Sequence, residues 1–91
     1  MRVTWDETKR TENLRKHGLD FVGVESLFDG HTVTLEDDRF TYGEQRFVTF
    51  GVLEGRVLAV VHTEQDDDIR VISMRKATRR EEQSYFSTIS E

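Results

Sequence analysis

The 91-residue chain contains no cysteine and no proline. Without cysteine there is no disulfide and no thiolate metal site, which fits a reducing compartment. No apolar run is long enough to span a bilayer, and no secretory h-region is visible. The expectation is a cytoplasmic protein without a membrane role. Metal and cofactor signatures are also missing. The three histidines, His17, His31 and His62, are far apart, and no H-x-x-x-H or paired-carboxylate spacing occurs. There is no P-loop, no dinucleotide fingerprint and no G-x-S-x-G. The run Asp66-Asp67-Asp68 offers charge to a divalent ion, but three adjacent aspartates in a turn more often face solvent. The expected cofactor list is therefore empty, and any chemistry must come from His, Arg, Lys, Glu and Tyr.

Charge is present but uneven. The net charge is −5, with 34% charged and 35% hydrophobic residues, the composition of a soluble, folded chain. Residues 21–68 carry three arginines against eleven acids. Residues 69–81, IRVISMRKATRRE, carry Arg70, Arg75, Lys76, Arg79 and Arg80 with no acid before Glu81. Such a cluster suits a polyanion, because a ligand feels the local field before the distant one. For any one of these residues, ordinary solvated charge is the plainer reading.

The periodicity predicts one α+β domain over 1–91, with one modest core. Arg2–Trp5 reads as a short strand. Asp6 is an N-cap for a surface helix over Glu7–His17, and Gly18 is its C′ residue. Asp20 is placed to cap a second helix carrying Phe21, Val24, Leu27 and Phe28, ended by Gly30. The period then changes. Thr32–Glu36, Gln45–Leu53, Arg56–Thr63 and Ile69–Met74 read as strands, with Glu54-Gly55 as a two-residue turn and Gln65–Asp68 as an acidic one. Short turns between successive strands predict an antiparallel meander of about four strands. Arg56–Thr63 is apolar on both parities, so it should be central and covered on both faces. Thr78 opens a capping box with Glu81, and Tyr85, Phe86 and Ile89 give the last helix an apolar side.

Within this frame His62 ends the central strand, beside Glu64 and ahead of Arg70. A short turn would bring the three near one another, and an imidazole can move a proton near neutral pH. A half-buried imidazole bonded to backbone is the plainer alternative. Arg70 interrupts an apolar strand, either for a ligand or for an ion pair with Glu64 or Glu81. Arg75 and Lys76 lie at a strand-to-helix junction with free N–H groups, a setting that suits phosphate. Arg79 and Arg80 oppose the helix dipole there, which points to binding rather than catalysis. A cationic, metal-free pocket with a histidine can cleave RNA, because the substrate brings its own nucleophile, the 2′-hydroxyl. Tyr85 serves either a stacked base or the core.

These pieces resemble the BrnT toxin family of bacterial type II toxin–antitoxin systems. The matching motifs are WDETK (5–9), NLRKHG with DF after it (13–18, 20–21), LFD (27–29), GEQRF (43–47), VVHTE (60–64) and IRVISMRKATRRE (69–81). The resemblance covers nearly the whole chain. It implies a RelE-like fold, with N-terminal helices, a central antiparallel sheet and a C-terminal helix. It implies a metal-independent endoribonuclease that arrests growth and is neutralised by a BrnA-type antitoxin in a hetero-oligomer. Operator DNA would be reached only through that antitoxin. Carried onto this chain, the implied catalytic positions are His62, Arg70, Arg75 and Lys76, and the implied RNA contacts are Lys16, His17, Arg79 and Arg80. The alternative reading is a non-catalytic nucleic-acid- or protein-binding module that acts as co-repressor with its antitoxin.

Overall fold

A computed structural model describes residues 1–37 and 43–91. In chain order the elements are β1 (Arg2–Trp5), α1 (Glu7–His17), α2 (Glu25–Phe28), β2 (Val33–Asp37), β3 (Arg46–Leu53), β4 (Arg56–Gln65), β5 (Asp68–Lys76) and α3 (Arg79–Ile89). The strands form one sheet in the order β1-β5-β4-β3-β2. Strands β2 to β5 are the expected antiparallel meander, and β1 adds a fifth strand, parallel to β5.

The two tight turns set the register. Glu54 and Gly55 both have positive φ, 52° and 77°. That is the requirement of a type I′ hairpin, whose twist matches the strands it joins. The second turn is tighter than the sequence suggests, because β4 runs on to Gln65 and β5 starts at Asp68.

As expected, β4 is central. Leu58 and Val60 point into a core built from Leu19, Phe21, Val24, Leu27, Ile69, Val71 and Met74. Val57 and Ala59 point the other way, to Phe50 and to Tyr85 of α3. Helix α2 packs closely on β3. A Cβ at Gly51 would sit 2.8 Å from Leu27 Cγ and Cδ2, so only glycine admits this approach.

One local reading changes. Asp20 caps no helix. Its carboxylate accepts the Val22 N–H at 3.0 Å and takes two bonds from Arg10, at 2.8 and 3.1 Å. Helix α2 is correspondingly short and begins only at Glu25. Helix α1 lies on the surface as expected, and the residue it turns inward is Asn13. The cause is the sheet edge. Strand β1 stops opposite Val71, so β5 continues without a strand partner on that side. Asn13 Oδ1 accepts the Met74 N–H at 3.0 Å, and its Nδ2 donates to the Leu19 carbonyl at 3.1 Å. One amide thus satisfies two buried backbone groups and fixes the rotation of α1. Asn13→Ala should lower unfolding stability by about 3 kcal/mol, since an orphaned buried polar group costs roughly 1–3 kcal/mol. Urea denaturation measures this, and a change under about 0.5 kcal/mol, the size of an ordinary surface substitution, would contradict it.

Candidate active site on the open face of the sheet

Helix α3 covers only part of its face of the sheet. It puts one residue, Tyr85, into the core, and the Tyr85 hydroxyl donates to the His31 carbonyl at 2.6 Å. Tyr85 is therefore a core residue. Beyond α3 the same face opens into a hollow of about 620 Å³. Its floor is one row of cross-strand neighbours. Arg46 of β3 lies opposite Thr63 of β4, Thr63 opposite Arg70 of β5, and Arg70 opposite Thr4 of β1. Adjacent strands are about 4.8 Å apart, so the backbones of Arg46 and Arg70 are roughly 10 Å apart with Thr63 between them. Arg2, Lys9, Glu44, Gln65, Asp66, Asp68 and Ile72 complete the lining.

The cations of this hollow are not equivalent. Arg2 bonds Asp68 at 2.8 Å. Arg46 lies across from the buried Asp37. Arg70 and Lys9 have no ion-pair partner among the described residues. Arg70 is exposed, and its field adds to the forces that keep the Asp6 carboxyl ionised. The largest of those forces are the Thr8 and Lys9 N–H groups that Asp6 caps, at 2.8 and 3.4 Å. Of the carboxylates, Asp68 is held by Arg2, whereas Glu44 and Asp66 carry no ion pair among the described residues.

The residues expected from the sequence are spread over several places. Arg70 lines the hollow. Arg75 lies on the same face, toward α3, where it makes two bonds to Glu81 at 2.8 and 3.0 Å. That pairing, with a smaller contribution from the Thr78 N–H, brings the Glu81 carboxyl down to about 2. Lys76, Arg79 and Arg80 are exposed at the β5–α3 junction. Six strand residues at ~3.3 Å each put Lys76 roughly 20 Å from Arg70. Lys16 and His17 line a second hollow beside α1.

His62 is on the other face. It is fully buried, edge-on to Phe28 with centroids 5.5 Å apart and stacked on Phe47 at 5.9 Å. Its Nε2 is 2.7 Å from Thr49 Oγ1, which is 2.8 Å from Thr34 Oγ1. Its Nδ1 faces Glu64 at 3.8 Å, beyond hydrogen-bonding distance. Burial pushes its pKa below the usual imidazole value, and Glu64 opposes this only in part. His62 therefore does not meet Arg70 in one hollow. Neighbouring residues of a strand point to opposite faces, and Thr63 is the one that faces Arg70.

Arg46 and Lys9 are the site residues that reading by sequence neighbourhood misses. Both lie far along the chain from the basic cluster. For Arg46 the signal is strand register, whereas Lys9 reaches the hollow through the packing of α1 beside β5.

The sequence model of one protein family, described as the ribonuclease toxin BrnT of type II toxin–antitoxin systems, matches residues 5–81. The chain belongs to the BrnT family. The matched span runs from the end of β1 to the Glu81 clamp and contains every lining residue of the hollow except Arg2 and Thr4. No curated protein sequence matches the chain. Membership in BrnT makes RNA the substrate class and an antitoxin the partner. The α+β architecture expected from the sequence is the one observed, and among the described residues no BrnT helix is long and apolar enough to cross a membrane.

Proposed function

We propose that this BrnT protein is a metal-independent endoribonuclease that cuts at the hollow around Arg70. The observation that carries the reading is the row Arg46–Thr63–Arg70, two guanidinium-bearing residues flanking a hydroxyl on an open sheet face. A guanidinium presents a fork of donors that matches the oxygens of a phosphate. In the reaction the 2′-oxygen bonds to phosphorus and the phosphorus–5′-oxygen bond breaks. One proton leaves the 2′-hydroxyl and another reaches the departing 5′-oxygen, giving a 2′,3′-cyclic phosphate. Arg70 stabilises the negative charge that gathers on the non-bridging oxygens. Arg46 and Lys9 hold the flanking backbone. The 2′-proton goes to Glu44 or Asp66, the carboxylates of the hollow without an ion pair among the described residues.

The remaining expected residues take supporting roles. His62 positions rather than reacts. It ties β4 to β3 through Thr49 directly behind the row. Arg75 locks the start of α3 through Glu81. Lys76, Arg79 and Arg80 offer a separate basic surface at the far end of β5. A BrnA-type antitoxin neutralises the enzyme by covering these cations, in a hetero-oligomer that reaches operator DNA through the antitoxin.

The test uses one RNA and its analogue with a single 2′-deoxynucleotide at the cut position, both in excess chelator. The RNA should be cut to a product ending in a cyclic phosphate, and the analogue should stay whole at that position. Cleavage that stops with chelator, or an analogue cut as fast as RNA, would refute the mechanism.

A further inference from the structure

We infer that a second trough, beside α1, is an RNA subsite that holds single-stranded substrate running on from the cutting hollow. This rests on the reading of the first hollow as the place of cleavage. The trough has a volume of about 440 Å³ and includes Lys9, Arg15, Lys16, His17, Ile72 and Ser73 in its lining. Lys9 and Ile72 line the first hollow as well, so the two join into one groove.

Three features make this more than scattered surface charge. First, Lys9, Arg15 and Lys16 have no ion-pair partner among the described residues, whereas Arg2, Arg10 and Arg75 each hold a carboxylate. The trough contains one acid, Glu12. Second, the rotation of α1 is fixed. Asn13 bonds Met74 and Leu19, which leaves Lys9 and Lys16 on the flank that faces the trough. They are two helical turns apart, about 10 Å along the axis, a rise equal to roughly three stacked nucleotides at ~3.4 Å each. Third, β5 carries its register shift here. Val61 pairs with Ser73 and His62 with Val71, so Ile72 is the extra residue of a bulge. A bulge re-aims side chains. This one puts an apolar surface at the junction of the two hollows, where a base can rest between phosphates held on either side.

The chemistry selects a single-stranded polynucleotide. The groove offers cations at backbone spacing and one apolar contact, but no array of base-edge donors. It should favour length over sequence.

The experiment measures binding of 2′-O-methyl RNAs, which lack the attacking hydroxyl, in a series from trinucleotide to dodecamer. Fluorescence anisotropy at several salt concentrations compares the full chain with the double variant Arg15→Gln/Lys16→Gln. Both positions are exposed on α1, and glutamine keeps the helix preference. For the native chain, affinity should rise as the strand outgrows the first hollow. In the variant that gain should disappear, leaving the dodecamer about tenfold weaker. The slope of log K against log salt should fall by about 1.4, roughly 0.7 for each lost phosphate contact on a single strand. A variant that binds the dodecamer like the native chain would overturn the subsite. So would an equal loss for trinucleotide and dodecamer, or a native chain whose affinity ignores length. Cleavage of unmodified RNA is followed in parallel. If the length effect is present but no RNA is cut, the groove stands and the ribonuclease reading falls. If RNA is cut without a length effect, only the subsite falls.

Discussion

Replacing Arg70 with alanine should slow RNA cleavage by about 10²–10³-fold, with little change in folding stability. The magnitude is that of losing one preorganised donor to a developing oxyanion, about 2.7–4 kcal/mol. Arg70 has the arrangement such a role needs. It sits beside Thr63 on an open face, it is exposed, and it has no ion-pair partner among the described residues. Because it supports no packing, the urea midpoint should move by no more than about 0.5 kcal/mol. Arg70→Lys should recover only part of the rate, since an ammonium keeps the charge but loses the planar fork. The decisive comparison is single-turnover cleavage by the native chain and both variants at one salt concentration. A fully active Arg70→Ala protein would remove the hollow as the reaction centre, whatever else binds there.

Replacing His62 should have the opposite signature, a large loss of stability. A buried imidazole between Phe28 and Phe47 that anchors Thr49 is a packing element with one polar duty. His62→Ala opens a cavity and removes one of the two side-chain hydrogen bonds of the Thr49 hydroxyl, which keeps its bond to Thr34, at about 3–4 kcal/mol. For a chain of this size the total is roughly 5–13 kcal/mol, so the loss is a large fraction of it. The pH dependence follows from burial. The folded-state pKa lies below the ordinary imidazole value of about 6.5. Between the folded pKa and the unfolded one, the unfolded chain therefore binds more protons, and stability rises with pH in that interval. The stabilisation is complete above the unfolded pKa and is lost as pH falls below it toward the folded value. Glu64, which faces Nδ1, moderates the effect without reversing it. Urea unfolding from pH 8 down to pH 5 should show this decline in the native chain, and His62→Gln should remove most of it. If His62→Gln folded as stably as the native chain at every pH while cutting far more slowly, the proton-transfer role expected from the sequence would regain the lead.

Most of the fold was legible because its signals are local. Gly18 after α1, the Thr78–Glu81 box and the Glu54-Gly55 turn each act within a few residues, and each forms as expected. Arg2–Trp5 reads as a strand, but its parallel pairing with β5 is a long-range event that no local pattern encodes. The site was legible in part, for a related reason. Counting back from the Glu54-Gly55 turn puts Arg46 opposite Thr63, and counting out from Asp66-Asp67 puts Thr63 opposite Arg70. That register also sends His62, one residue earlier, to the far side. Proximity in sequence suggested a histidine beside an arginine, and the alternation of the pleat separated them. From sequence alone Arg75 reads as a ligand group, and Glu81, like Glu64, as an ion-pair partner for Arg70. The fold gives Glu81 to Arg75 instead, because the capping box already holds that carboxylate at the helix start. Asn13 had no sequence signal at all, since its use depends on where β1 stops.

Helix α3 is fastened by the Arg75–Glu81 clamp at its start and by Tyr85 in its middle, and its far half leaves Phe86 46% and Ile89 37% exposed. An element held so lightly should detach from the sheet at a cost well below global unfolding. Amides late in α3 should exchange with deuterium long before those of β4, while the Arg70 hollow, built on other strands, keeps its shape. On that expectation the face that carries the proposed site and the helix beside it move as separate units, and agitation of one need not disturb the other.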